Sequence, residues 1–140
     1  MAAAVHVADC LPVAVGGDAG VAMLHCGWRG LDGRIIAAGV TRLRELGVDG
    51  PLAAVIGPGV GGCCYETGDE VRARFAGLRA SSGRLLDLKV VARAQLHDAG
   101  VAIVEDVGVC TMCSPPGDLF SHRRDGADCG RQGAFAWLAC

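Results

Sequence analysis

Two short segments place a soft-metal ligand beside a glycine-rich or turn-forming backbone: Ala8-Asp9-Cys10-Leu11-Pro12 and His25-Cys26-Gly27-Trp28-Arg29-Gly30. A thiolate and a neutral imidazole both suit borderline-soft ions such as zinc or copper. Cys10 and His25 are therefore candidate metal ligands and candidate catalytic residues. Asp9, adjoining Cys10, could orient His25 or accept a proton. By residue type alone each has an ordinary alternative: a buried core cysteine, a hydrogen-bonded strand-end histidine and a turn aspartate. The second segment opens into a helical pattern. Gly27 and Gly30 would let backbone approach a ligand, a helix start presents unpaired N–H groups, and Arg29 adds charge, which together describe an anion site. The plainer possibility is a tight strand-to-helix turn with Trp28 in the core. Arg123 and Arg124, in Phe120-Ser121-His122-Arg123-Arg124-Asp125-Gly126, form a second possible phosphate clamp, because guanidinium forks match phosphate oxygens; an adjacent pair can equally be a solvated face.

Other reactive side chains fit less well. His6 precedes Cys10 by four residues, and on a strand their Cα atoms would lie roughly 13 Å apart, too far for one ion. His122 reads as a surface or pocket-wall residue, and Glu66 as a weaker proton acceptor than Asp9. Cys63-Cys64 and Cys110-x-x-Cys113 could form a separate structural zinc site, but adjacent cysteines are strained as joint ligands, and buried thiols are the preferred reading. Cys129 and Cys140 show no pattern.

The elements that must position these residues alternate. Val13–Val15 and Val21–His25 are short β-type runs around the turn sequence 16–20. Ile36, Val40 and Leu43 give a helix one apolar face, with Gly47 as its C-terminal cap. Leu52–Ile56 is a third strand, stopped by Gly57-Pro58-Gly59. Thr67 and Glu70 predict a capping box, followed by a stripe of Val71, Phe75 and Leu78. Asp87 caps a helix with Leu88, Ala92, Leu96 and Ala99 inward. Val101–Val104 is a strand, 110–131 is mostly loop, and Ala134–Leu138 is a closing strand. Strands alternating with helices predict an α/β class and a single domain over 1–140.

Composition narrows the function classes. Just over half of the 140 residues are hydrophobic and one fifth are charged, a globular balance. A net charge of −2 offers no footprint for nucleic acid or an anionic membrane. The apolar start lacks a basic residue before its hydrophobic part and is broken by Asp9, unlike a signal peptide. The expected location is cytoplasmic, where the eight cysteines stay reduced.

Four segments (ADCLP at 8–12, HCGWRG at 25–30, GPGVGGCCYETG at 57–68 and FSHRRDG at 120–126) together closely resemble the multicopper polyphenol oxidase/laccase-like family. Its YfiH-type members are also described as purine nucleoside phosphorylases. Gln95-Leu96, Cys110-Thr111 and Gly130-Arg131 extend the match in the family's order. The resemblance implies an α/β (α+β) fold of mixed β-sheets layered between helices. It also implies a metal, usually zinc, held by Cys10, His25 and a second histidine. That histidine belongs to an upstream segment of the type QVHG, absent here, as is roughly the first two-fifths of the family's length. The domain is accordingly expected to be N-terminally truncated. Three protein ligands would leave a fourth position for water or substrate.

The activity so implied is metal-dependent phosphorolysis of adenosine, inosine or methylthioadenosine, with adenosine deamination as a side activity. The partners are then a purine nucleoside and phosphate, without nucleic acid or membrane, in a monomer or homodimer. One alternative is a copper-dependent laccase-like polyphenol oxidase. Multinuclear copper centres need many imidazoles, however, and this chain has only His6, His25, His97 and His122. Another is an inactive fragment, or a metal-binding subunit that takes its third ligand from a partner.

Overall fold

A computed structural model describes residues 1–139. In chain order the elements are β1 (Ala3–Val7), β2 (Leu11–Gly17), β3 (Gly20–Cys26), α1 (Trp28–Asp32), α2 (Ile35–Glu45), β4 (Ala53–Ile56), α3 (Asp69–Ala73), β5 (Ser81–Ser82), β6 (Leu85–Leu86), α4 (Leu88–Asp98), β7 (Ile103–Asp106), α5 (His122–Asp125) and β8 (Gln132–Ala136). The fold is mixed α/β, with both parallel and antiparallel pairing.

β2 and β3 form a hairpin closed at Asp18-Ala19, running from Gly17 opposite Gly20 to Leu11 opposite Cys26. β4 joins the other edge of β2 antiparallel, and β7 joins β4 in parallel, giving the order β3-β2-β4-β7. A β-strand sends alternate side chains to opposite faces. Val13, Val15 and Ile56 are fully buried under α2 and α4, while Val55 on the opposite face is 41% exposed. β1, read from sequence only as an apolar start, pairs antiparallel with β8 from Ala3–Ala136 to Val7–Gln132. The two ends of the described chain therefore close on each other beside β3.

Both long helices end in the same motif. Gly47 and Gly100 take the left-handed conformation (φ +87° and +79°). Val48 N–H donates to the Leu43 carbonyl and Val101 N–H to that of Leu96, so Val48 and Val101 are buried as the apolar residues after the glycine. That use of Val101 explains why the strand expected at Val101–Val104 lies instead at Ile103–Asp106. Asp87 caps α4, its carboxylate accepting from the Lys89 and Val90 N–H groups.

The capping box expected at Thr67 and Glu70 does not form. Gly68 is the N-cap of α3 and no side chain caps it. Glu66 bridges Leu85 and Thr67 N–H donates to the Arg84 carbonyl, so this stretch is held extended against β6. The Thr67 hydroxyl is buried without a partner. Among the described residues no helix is long and apolar enough to cross a membrane.

Candidate functional site

Asp9 organises the site. It is 5% exposed and adopts φ +78°, a backbone conformation rarely taken by a residue with a side chain. One carboxylate oxygen accepts from the Thr111 hydroxyl at 2.6 Å, the other from the Arg123 N–H at 2.7 Å. Three distant stretches, the β1–β2 turn, the loop after β7 and the start of α5, are thereby tied to one carboxylate. The turn-aspartate reading thus understates its reach, and neither oxygen is hydrogen-bonded to His25.

Around Asp9 lies a cleft of about 240 Å³, lined among others by Cys10, Arg29, Tyr65, His122 and Arg123. Cys10 directly precedes β2, and burial pushes its thiol up, with Asp9 adding to the rise and Arg131 opposing it. Behind it, burial and then Cys10 push Cys26 to about 12, which keeps Cys26 a protonated core thiol. His25 stands exposed opposite Pro12 in the β2–β3 ladder. Extending that register by one step sets Cys10 opposite Gly27, making Cys10 and His25 diagonal neighbours, a relation that spans roughly 7–8 Å between Cα atoms. His25 is not among the residues that line the cleft.

The glycines of the second segment serve the protein's own packing. A Cβ on Gly27 would lie 2.8 Å from the Cys10 sulfur, and one on Gly30 would lie 2.9 Å from the His25 carbonyl oxygen. The close approach expected toward a ligand is thus an approach of chain to chain, which seats both candidate ligands. The helix that follows, α1, has five residues, and its N-cap, Gly27, leaves the start without a side-chain cap. Gln95 ties α1 to α4 through its amide and the Leu31 carbonyl at 2.8 Å.

Arg29 lies over the Trp28 ring at 4.4 Å and Arg123 over the Tyr65 ring at 4.7 Å. Among the described residues neither guanidinium forms an ion pair with a carboxylate. Arg124 is used differently from the clamp expected of it. Its guanidinium donates to the carbonyls of Thr111, Ser114 and Leu119 and pairs with Asp125, which knits the loop after β7. Glu66 gives its carbonyl to Arg123 at 2.8 Å, while its carboxylate faces Arg84.

Tyr65 is the residue sequence reasoning passed over. Burial lifts its phenol, Arg123 opposes that, and Cys10 adds to it, so the hydroxyl stays protonated at neutral pH. The available signal was its place in Cys63-Cys64-Tyr65-Glu66, between reactive thiols and a carboxylate. His6 lies on β1, paired opposite Gly133.

The remaining cysteines depart from expectation. The seven described are free, and Cys140 lies outside the described residues. Cys63 and Cys113 are exposed and Cys64 and Cys110 half-buried, not the buried thiols anticipated. Their four sulfurs lie within 4.8 Å of one another, a group that could hold a metal.

The family model described as "Multi-copper polyphenol oxidoreductase laccase" matches residues 1–139. A purine nucleoside phosphorylase of Aquifex aeolicus is 39% identical over 123 residues, covering 86% of this chain and 58% of that protein. The purine nucleoside phosphorylase YfiH of Escherichia coli is 34% identical, covering 96% and 58%. Among solved structures, the Bacillus licheniformis hypothetical protein YfiH superposes with a TM-score of 0.83 at 33% identity, over 96% of this chain and 56% of that one. YlmD of Geobacillus stearothermophilus gives the same TM-score, identity and coverage. The chain thus spans somewhat over half the length of these relatives.

Proposed function

The chain belongs to the multi-copper polyphenol oxidoreductase laccase family, and from that premise we propose that its cleft serves phosphorolysis of a purine nucleoside such as adenosine, inosine or methylthioadenosine, with adenosine deamination as a side activity. The observation that carries this reading is the pairing of two carboxylate-free guanidiniums, Arg29 and Arg123, with a buried phenol in one cleft. The two arginines hold phosphate, the residue type best matched to its oxygens. A phosphate oxygen then attacks the sugar C1′ as the bond from C1′ to the purine nitrogen breaks. The electron pair leaves on the purine, and the Tyr65 hydroxyl, protonated and lining the cleft, is the donor assigned to the leaving nitrogen. Asp9 acts here as a positioning residue, because both oxygens are occupied in holding Thr111 and Arg123. Arg124 holds the loop that carries Thr111, and so supports the clamp indirectly.

The donor chemistry of Cys10 and His25, one sulfur and one imidazole seated by Gly27 and Gly30, fits zinc, with copper the other soft candidate. Such an ion would supply Lewis-acid polarisation of a substrate oxygen. The four histidines belong to β1, β3, α4 and α5, and no group of three lies together among the described residues. That distribution does not support a multinuclear copper oxidase. The test is inosine turnover with and without phosphate. Hypoxanthine and ribose 1-phosphate should appear only when phosphate is present. Base release independent of phosphate, or phenol-dependent oxygen uptake in place of base release, would overturn the reading.

A further inference from the structure

Outside the cleft, two loops meet at four sulfurs. One loop follows β4 and carries Cys63 and Cys64; the other follows β7 and carries Cys110 and Cys113. Main-chain bonds already align them: Gly59 N–H donates to the Val109 carbonyl, Thr111 N–H to the Gly59 carbonyl, and Gly59 bridges Cys110 in parallel. On an extended strand neighbouring side chains point to opposite faces, which is why adjacent cysteines are poor joint ligands. Here the chain turns at 62–64 and turns again at 111–113. As a result the Cys63 and Cys64 sulfurs both face that of Cys113, at 3.6 and 3.2 Å. The fourth sulfur, on Cys110, accepts from the Gly61 N–H at 3.2 Å.

We propose that Cys63, Cys64, Cys110 and Cys113 are the four ligands of a structural zinc ion that fastens the loop after β4 to the loop after β7. Zinc binds thiolate sulfur at about 2.3 Å in a tetrahedron, so the sulfurs of a filled site stand about 3.8 Å apart. The separations here, 3.2 and 3.6 Å with all four within 4.8 Å, bracket that spacing. All four donors are sulfur, no position is left for water or substrate, and a closed four-thiolate set is the structural rather than the catalytic type. The Gly61 N–H supplies the outer hydrogen bond that orients a ligand and stabilises its negative charge. The site adjoins the cleft along the chain: Tyr65, which lines the cleft, follows Cys64, and Thr111, which holds Asp9, follows Cys110. The ion would fix the two loops that carry Tyr65 and Thr111.

The site is tested in the whole chain, prepared under reducing conditions. Metal analysis of a Cys10→Ser/His25→Ala variant, which lacks the other candidate ligands, should still find one zinc per chain. Cobalt(II) exchanged into that variant should show thiolate-to-cobalt charge-transfer bands and tetrahedral d–d bands. Cys63→Ser/Cys113→Ser should lose both the zinc and the bands. Because both residues are exposed, the variant should keep its circular dichroism while its Tm falls by about 5 °C or more. Cys110→Ser alone should weaken cobalt binding at least tenfold. Absence of cobalt–thiolate bands in the reduced Cys10→Ser/His25→Ala protein would overturn the proposal. So would iron in place of zinc, or loss of two hydrogens per cysteine pair by mass spectrometry showing disulfides in the reduced preparation.

Discussion

Asp9 shows what one side chain can organise. Its two oxygens fix residues 102 and 114 positions away in sequence, Thr111 and Arg123. Removing one partner of a buried hydrogen bond leaves the other unpaired, at a cost of about 1–3 kcal/mol. Thr111→Val should therefore lower stability by about 1–2 kcal/mol in urea unfolding, and should raise the KM for phosphate more than it lowers kcat, because Arg123 loses a shared anchor. Arg123→Ala should raise that KM roughly 30-fold, the equivalent of about 2 kcal/mol for one charge-assisted contact. Arg123→Lys should recover only part of the loss, since an ammonium neither forks nor lies flat on Tyr65. Asp9, Cys10, Arg29 and Arg123, which the motif segments singled out as candidates, all line the cleft. Tyr65 and Arg131 were not singled out, because nothing local in a sequence says that the chain's one phenol or this guanidinium will come near a thiol 55 or 121 residues away.

Elements read more easily than contacts. The apolar faces of α2 and α4, the Asp87 cap and the Gly47 stop follow from periods and propensities that act within a few residues. Asp87→Ala should cost about 1 kcal/mol, the usual worth of an N-cap, measured by thermal or urea unfolding. Gly100→Ala should cost a further 1 kcal/mol or about that, because φ +79° strains any Cβ. The Thr67–Glu70 box had the right letters and still failed, since pairing with β6 claims the Thr67 backbone first. α4 also docks on β7 through Lys89 and Asp106, 2.9 Å apart, with side chains 12% and 16% exposed. Burial works against the Asp106 charge, but the Gly108 N–H, Lys89 and Arg93 outweigh it and hold the carboxyl below the ordinary carboxylate range. A depressed native pKa stabilises the fold above the unfolded value near 4 and loses that stabilisation as pH falls through the native value. Asp106→Asn should thus be destabilised by about 1.5–3 kcal/mol at pH 7, the gap to the parent closing below pH of about 4.

At the scale of the molecule, one sheet covered on its helical face and one ribbon joining the described ends hold the cleft open between loops. Ile56 is fully buried where β4 meets β2 in the common core, and Ile56→Ala should cost about 2–5 kcal/mol by urea unfolding. By itself the sequence determined the class of fold, the apolar faces of the long helices with the Gly47 stop and the Asp87 cap, and a short list of candidate residues for metal or phosphate. These depend on residue chemistry and on interactions a few positions apart. Only the tertiary structure decided that Gly27 makes room for a sulfur, that Arg124 serves a loop while Arg123 lines the cleft, that β1 closes on β8, and that four scattered cysteines converge. Each of those depends on contacts between residues far apart in the chain, which come together only when burial of the common core brings their loops to the same place.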